Sequence, residues 1–324
     1  MNRRVLIVGA TGNIGAETAR ALLERGWEVR ALHRQPEQAA RRFAALGAIT
    51  WLAGDALNRE DVVQAAAGVS VVVHAANPPG YKNWAGLVLP MLESSIAAAE
   101  AADARLVLPG TIYNFGADAG AVLSERSPQH PTTRKGALRV AMERRLEAAS
   151  KAGLKVLIVR AGDFFGPRVT GNSWFGQVVK PGAPVRSVTY PGKRDVGHAW
   201  AYLPDLAATI AELAEREHAL PRFEVFHFAG HWFERGVEIA EAARRAADVP
   251  RAPIRRFPWF AIYALSPFRE TFREMLEMRY LWREPVRLDN QKLLAFLGQE
   301  PHTPIDAALR QTLSGLGCRA RPTI

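Results

Sequence analysis

The chain has 324 residues, 48% of them hydrophobic and 23% charged, with a formal net charge of +10 and one cysteine. Those proportions exclude a disordered or fibrous protein and leave a globular one long enough for a main domain with an appended lobe. The arginines are dispersed among acidic residues without any long basic run or nucleic-acid recognition motif, so nucleic acid is not an expected partner.

No apolar run reaches the roughly 18 residues that span a bilayer, so no integral membrane segment is expected. The opening MNRRVLIVGATG lacks the pattern of a secretory leader, and Cys318 has no second cysteine to pair with or to share a metal. A cytoplasmic protein without a metal site is the expectation.

From the N-terminus, short apolar β-branched runs alternate with Ala-rich helical stretches. VLIV predicts a strand, residues from about Asn13 to Arg25 a helix, and EVRAL, AITWLAG and SVVVHAA further strands separated by helices. A long helix across LPMLESSIAAAEAA, the strand RLVLPG, the helix RKGALRVAMERRLEAASKAG and the strand KVLIVR continue the series. Apolar strands alternating with helices predict a Rossmann-type doubly wound parallel α/β sheet of about seven strands.

Beyond Arg160 the text turns Gly- and Pro-rich. A helix at about Pro204–Arg216 and the strand FEVFHFAG then return to the main sheet, and helices follow near Glu234–Ala247, Trp259–Trp282, Asp289–Phe296 and Pro304–Leu313. The expected division is a dinucleotide-binding domain of residues 1–165 plus about 198–230. A mainly helical substrate lobe takes 166–197 plus 231–324.

Gly9, Gly12 and Gly15 stand in G-x-x-G-x-x-G spacing directly after a strand and before a helix, with Thr11, Asn13 and Ile14 between them. That context matches a dinucleotide phosphate site, in which helix-start amides and the helix dipole hold the negative diphosphate. NAD-binding folds usually carry an acidic residue at the end of the second strand to accept from the ribose hydroxyls. Here His33 and Arg34 occupy that place, and a guanidinium matches a 2′-phosphate instead, so NADP(H) is expected in preference to NAD(H). Asp55, followed by Ala56, is placed to accept from the adenine amino group, and His74, Ala75 and Ala76 end the fourth strand beside the nicotinamide half.

Together GATGNIG, GDALNREDV, VVVHAA, VLIVRAGDFFGP and HAWAYLPDLAATIAELAE resemble the extended short-chain dehydrogenase/reductases, the NAD(P)-dependent epimerase/dehydratase group, over most of the chain. The resemblance implies a seven-stranded Rossmann sheet, a small substrate lobe and a homodimer joined through two helices. It also implies a Ser or Thr after the fifth strand and a Tyr-x-x-x-Lys pair on the next helix. Thr111 takes the Ser/Thr position, but Lys135 stands where the tyrosine belongs and Arg139 where the lysine belongs, with Glu143 one turn on.

Three readings of that departure stay open. Lys135 itself donates the proton, its charge destabilised by Arg139. Alternatively Tyr113, on the same side as Thr111 if the strand continues, supplies a phenol. In the third, the chain is a non-catalytic NADP(H)-binding regulatory or redox-sensing protein; otherwise it is an oxidoreductase or epimerase/dehydratase moving a hydride at a hydroxyl or carbonyl of a small molecule.

Asp163 and Phe164 after the sixth strand, with His198 and Trp200 in HAWAYLPD, are expected to face the substrate. The aromatic stretch FPWFAIYALSPFRETFREMLEMRYLW is expected to be buried or to form a dimer contact, because Glu270, Glu274 and Glu277 would repel an anionic lipid surface.

Overall fold

The computed structural model describes residues 2–78, 83–169 and 173–318. The first half runs β1 (Arg4–Val8), α1 (Asn13–Leu23), β2 (Glu28–His33), α2 (Pro36–Arg42), β3 (Ile49–Ala53), α3 (Arg59–Ala65), β4 (Val71–His74), α4 (Trp84–Ala101), β5 (Arg105–Thr111), β6 (Val122–Leu123), α5 (Arg134–Lys151) and β7 (Lys155–Ala161). The second runs β8 (Asp163–Phe165), α6 (Phe175–Val178), β9 (Val188–Tyr190), β10 (His198–Tyr202), α7 (Leu203–Glu215), β11 (Phe223–His227) and β12 (His231–Phe233). It continues through α8 (Glu238–Ala246), β13 (Ile254–Arg256), α9 (Trp259–Leu265), α10 (Glu270–Glu277), β14 (Arg287–Leu288), α11 (Gln291–Leu297) and α12 (Ile305–Gly315).

Seven strands pair in parallel in the order β11-β7-β5-β4-β1-β2-β3. Each central strand is an unbroken apolar run because both of its faces are covered. Val5, Ile7, Val71, Val73, Val107, Leu157 and Val159 pack with Leu22 of α1 and Leu206 and Ile210 of α7. The alternate residues Leu6, Val8, Val72, Leu106, Leu108, Val156 and Ile158 pack with Val62 of α3, Val88 and Leu92 of α4, and Leu146 of α5. The order reverses between β1 and β4, and their C-terminal ends open the crevice in which such sheets take ligands.

β11 returns to the main sheet as expected, whereas β10, not anticipated as a strand, pairs with β8 and β12 in a separate three-stranded sheet. The helix expected over Trp259–Trp282 is broken into α9, α10 and a 3-10 turn, Met278–Trp282. Pro267 accounts for the break, since it has no N–H to bond back into α9 and its ring crowds the preceding turn.

Beneath the crevice a buried polar chain ties α5 to β7 and β11. Arg160 Nε and Nη2 donate to Glu143 Oε1 and Oε2 at 3.0 and 2.6 Å, and Arg160 Nη1 reaches His227 Nε2 at 3.1 Å. His227 Nδ1 lies 3.1 Å from Leu123 O, so the ring is the neutral tautomer that accepts from arginine and donates to the carbonyl. On the other side Gln129 bonds both Glu143 Oε2 and Asn114 Nδ2, which anchors the turn after β5.

Burial pushes the imidazoles of His74 and His227 down to about 3 and that of His231 to about 4, aided by the charges of Arg139, Arg160 and His302 respectively. Unfolded histidine takes a proton near 6.5. The unfolded chain therefore binds more protons than the folded one between those values. Stability is full above about pH 6.5 and falls as the pH drops, by up to about 1.4 kcal/mol per pH unit for each histidine. Urea unfolding at pH 7 and pH 5 should show a clearly lower midpoint at pH 5; an unchanged midpoint would contradict the buried neutral rings.

Candidate active site

β1 ends on Val8 and the chain turns at once into α1. Gly9 takes φ 95°, and a side-chain carbon there would lie 2.6 Å from the Ala75 backbone. At Gly15 such a carbon would fall 2.3 Å from Gly9 O, so only glycine lets α1 lie this close to the loop. The N-cap residue Gly12 brings no side-chain bond to the helix start. The amides of Asn13, Ile14 and Gly15 thus lack intrahelical partners, and Thr11 and Gly12 are exposed beside them. An uncapped helix start and a cradle that any Cβ would fill fit a dinucleotide diphosphate.

Arg34 is exposed just past β2 and makes no ion pair among the described residues. His33 is pinned, its Nδ1 accepting from Gln35 N at 3.0 Å and its ring edge-on to Trp51. Asp55 Oδ1 accepts from Leu57 N at 3.0 Å while its own N–H donates to Asp61 Oδ2 at 2.9 Å, so the turn carrying Asp55 and the partly buried Ala56 is held from both sides. The His74 side chain does not edge the crevice as expected. Its ring is buried and turned toward α4, with Nδ1 2.8 Å from Ser95 Oγ, because an imidazole at the end of a covered strand needs a buried partner. Ala75 and Ala76 contribute backbone against Gly9.

The ends of β5 and β7 hold a line of polar groups. β5 does not continue past Thr111: a 3-10 turn, Ile112–Asn114, follows, and Thr111 Oγ1 accepts from Tyr113 N at 3.3 Å. This turn, rather than strand alternation, aims the Tyr113 phenol. Tyr113 Oη donates to Asp163 Oδ1 at 2.9 Å, and His198 Nε2 lies 2.9 Å from Asp163 Oδ2. His198 Nδ1 faces Leu281 O at 3.2 Å, so the ring is held between two oxygen atoms. It stacks on Trp282 with centroids 4.0 Å apart and planes 8° from parallel. Asp163 and His198 are buried, whereas Tyr113 is partly exposed. Of the four residues expected to face a substrate, only Phe164 is partly exposed. Trp200 has no exposed surface and packs against Phe165, Phe175 and Trp282, so it is core, not pocket wall.

The sequence profile of the NAD dependent epimerase/dehydratase family matches residues 5–229. The chain belongs to that family. The UDP-glucuronic acid 4-epimerase from Bacillus cereus, solved with NAD, superposes with a TM-score of 0.75 at 16% identity, covering 97% of this chain and 98% of the other. A “putative epimerase” from Burkholderia cenocepacia J2315 gives 0.74 at 20% identity, with 97% and 98% coverage. Two curated relatives are dehydrogenases by name. The dTDP-6-deoxy-L-talose 4-dehydrogenase (NAD(P)(+)) of Kitasatospora kifunensis is 31% identical over 187 residues, 53% of this chain and 56% of the relative. The 3-beta-hydroxysteroid dehydrogenase of Mycolicibacterium neoaurum is 41% identical over 73 residues, 22% of this chain and 19% of the relative. The chain thus spans about half and about a fifth of these relatives' lengths. The solved likenesses establish the Rossmann-type fold, and the match over residues 5–229 places the chain in the NAD dependent epimerase/dehydratase family.

Within this family member, α5 begins beside the Tyr113 turn. Thr133 Oγ1 caps it by accepting from Gly136 N at 2.9 Å, and a side-chain carbon on Gly136 would lie 2.3 Å from Tyr113 O. Lys135 Nζ is buried 3.1 Å from Glu274 Oε2 of α10. Its pKa is lowered, and the first cause is burial; Glu274 and Glu277 oppose it, and Arg139 adds only the smallest push. The lowering by Arg139 agrees with expectation in direction, but burial is the main cause of the shift. Arg139 lies over the Trp84 ring at 5.5 Å and close enough to His74 to lower its pKa. Glu274, Leu281 and Trp282 were not singled out from sequence as site residues, because nothing in their local pattern marks a contact made across the fold. Among the described residues no group of three His, Cys, Asp or Glu could hold a metal, and no helix is long and apolar enough to cross a membrane.

Proposed function

We propose that this enzyme is an NADP(H)-dependent oxidoreductase or epimerase/dehydratase acting at a hydroxyl or carbonyl of a small molecule, with Tyr113 handling the proton. The observation that carries the reading is the 2.9 Å bond from the partly exposed Tyr113 phenol to the buried Asp163, past the C-terminal ends of β5 and β7, the end of the sheet at which the crevice opens. NADP(H), when bound, supplies or accepts the hydride. In the oxidative direction the substrate hydroxyl gives its proton to Tyr113 Oη while the phenolic proton passes to Asp163 Oδ1; reduction reverses both transfers. The 2.9 Å contact with His198 Nε2 fixes the orientation of the Asp163 carboxyl. Thr111 holds the turn, and Lys135 and Arg139 place positive charge beside the site. The dehydrogenase names of both curated relatives support hydride transfer.

The amides of Asn13, Ile14 and Gly15 would take the diphosphate, Asp55 the adenine amino group and Arg34 the 2′-phosphate. Arg34→Asp is expected to weaken NADPH binding at least about tenfold and to leave NADH nearly unchanged, since a charge-assisted contact contributes roughly 1.5–3 kcal/mol. Calorimetry showing that the parent binds the two cofactors equally would remove the NADP(H) preference. The proposed working form is a cytoplasmic homodimer joined through two helices, with 166–197 plus 231–324 supplying the substrate lobe around a core of 1–165 plus 198–230.

A further inference from the structure

α9 and the turn after it present an apolar face that the rest of the fold leaves open. Phe260 is 83% and Phe268 79% exposed, and Tyr263 and Leu265 are about half exposed, whereas large apolar side chains elsewhere in the described residues are exposed only at Leu57 and Val122. The face is firmly mounted from behind. Trp259 Nε1 donates to Pro191 O at 2.7 Å, and its ring packs against Phe257 and Trp174. The Arg279 guanidinium sits over the Trp259 and Tyr263 rings at 5.0 and 5.4 Å and donates to Tyr263 Oη.

Charge says what covers it. Residues 251–273 contain five arginines, Arg251, Arg255, Arg256, Arg269 and Arg273, against one acid, Glu270. All five arginines are exposed. Two of the acids that argued against lipid are already paired: Glu274 with Lys135, and Glu277 with the Arg134 backbone N–H and Nε at 2.9 and 2.8 Å. Joining two copies through this face would bring like charges together, whereas an anionic surface neutralises them. We propose that this face docks on an anionic phospholipid bilayer, with Phe260 and Phe268 entering the headgroup–acyl boundary and the arginines on lipid phosphates. The assignment rests on the surface alone and is independent of the reading of the crevice.

Co-sedimentation of the full chain with vesicles of mixed phosphatidylglycerol and phosphatidylcholine, beside phosphatidylcholine alone, tests it. The mixed vesicles should bind and the neutral ones should not, with binding falling as salt rises. The double variants F260S/F268S and R255E/R256E should each lower partitioning at least about tenfold, with NADPH affinity and circular dichroism unchanged. Absence of binding, equal binding to neutral vesicles, or undiminished binding by both variants would overturn the proposal. Light scattering that shows a parent dimer turned monomeric by F260S/F268S would overturn it in favour of a second copy.

Discussion

Tyr113→Phe is expected to lower kcat by about 10²–10⁴-fold while leaving NADPH affinity within about twofold, because a positioned acid–base group contributes that much to proton transfer. The variant keeps the ring and loses only the hydroxyl that bonds Asp163 at 2.9 Å. Asp163→Asn should produce a loss of similar order. An asparagine oxygen still accepts from the phenol, but the amide cannot take the proton, so the pH profile of kcat should change along with its size. Lys135→Met separates the readings. If Tyr113 handles the proton, that variant retains more activity than Tyr113→Phe; should the ranking reverse, the proton role moves to Lys135. A chain that binds NADPH yet reduces or oxidises none of a broad panel of carbonyls and alcohols would be the cofactor-binding regulator instead.

Arg160→Met should destabilise the fold by about 3–5 kcal/mol, read as a fall in the urea midpoint, because it leaves the Glu143 carboxylate buried without its cation. Both members of the pair are almost without exposed surface, and the guanidinium also lies over the Phe115 ring at 5.2 Å and bonds His227. The cost is that of stranding a charge, not the net contribution of the pair. Removing both charges in Glu143→Leu/Arg160→Met should therefore recover a large part of the loss. A single variant with the parent midpoint would show that the pair is not buried as described. The link through Gln129 and Asn114 predicts that Arg160→Met also loosens the turn carrying Tyr113.

The glycine spacing, the apolar strand runs and the alternation of strand with helix were legible directly, and they specify the parallel sheet and its phosphate crevice. Each rests on neighbours within a few residues: β-branched runs, turn glycines, a helix start. The departure at Lys135 and Arg139 was equally plain, as was the Arg34 substitution for an acid. The geometry of the proton site was not. A phenol two residues past Thr111 could be named, but the strand alternation invoked to aim it does not exist; a 3-10 turn does that work.

His74 and Trp200 were assigned to ligand faces from their place in a motif, yet packing turned both inward. Position in a strand marks which face a side chain leaves from; it does not say whether a helix or another ring already covers that face. The aromatic C-terminal stretch, expected to be buried or to form a dimer contact, is buried at Ile262, Met278, Leu281 and Trp282 and exposed at Phe260, Tyr263, Leu265 and Phe268, and whether Glu274 and Glu277 repel a surface depends on the cations that α5 sets opposite them.

Local order therefore came from the residues themselves: where strands begin, where the chain can turn sharply, and which cofactor phosphates a guanidinium suits. Tertiary packing decided which distant groups meet: Tyr113 with Asp163 across 50 residues, His198 with Leu281 across 83, Arg134 with Glu277 across 143. Periodicity and turn chemistry act over one or two turns of chain. A hydrogen bond between remote segments exists only after the whole core has chosen its arrangement, so no pattern along the chain announces it.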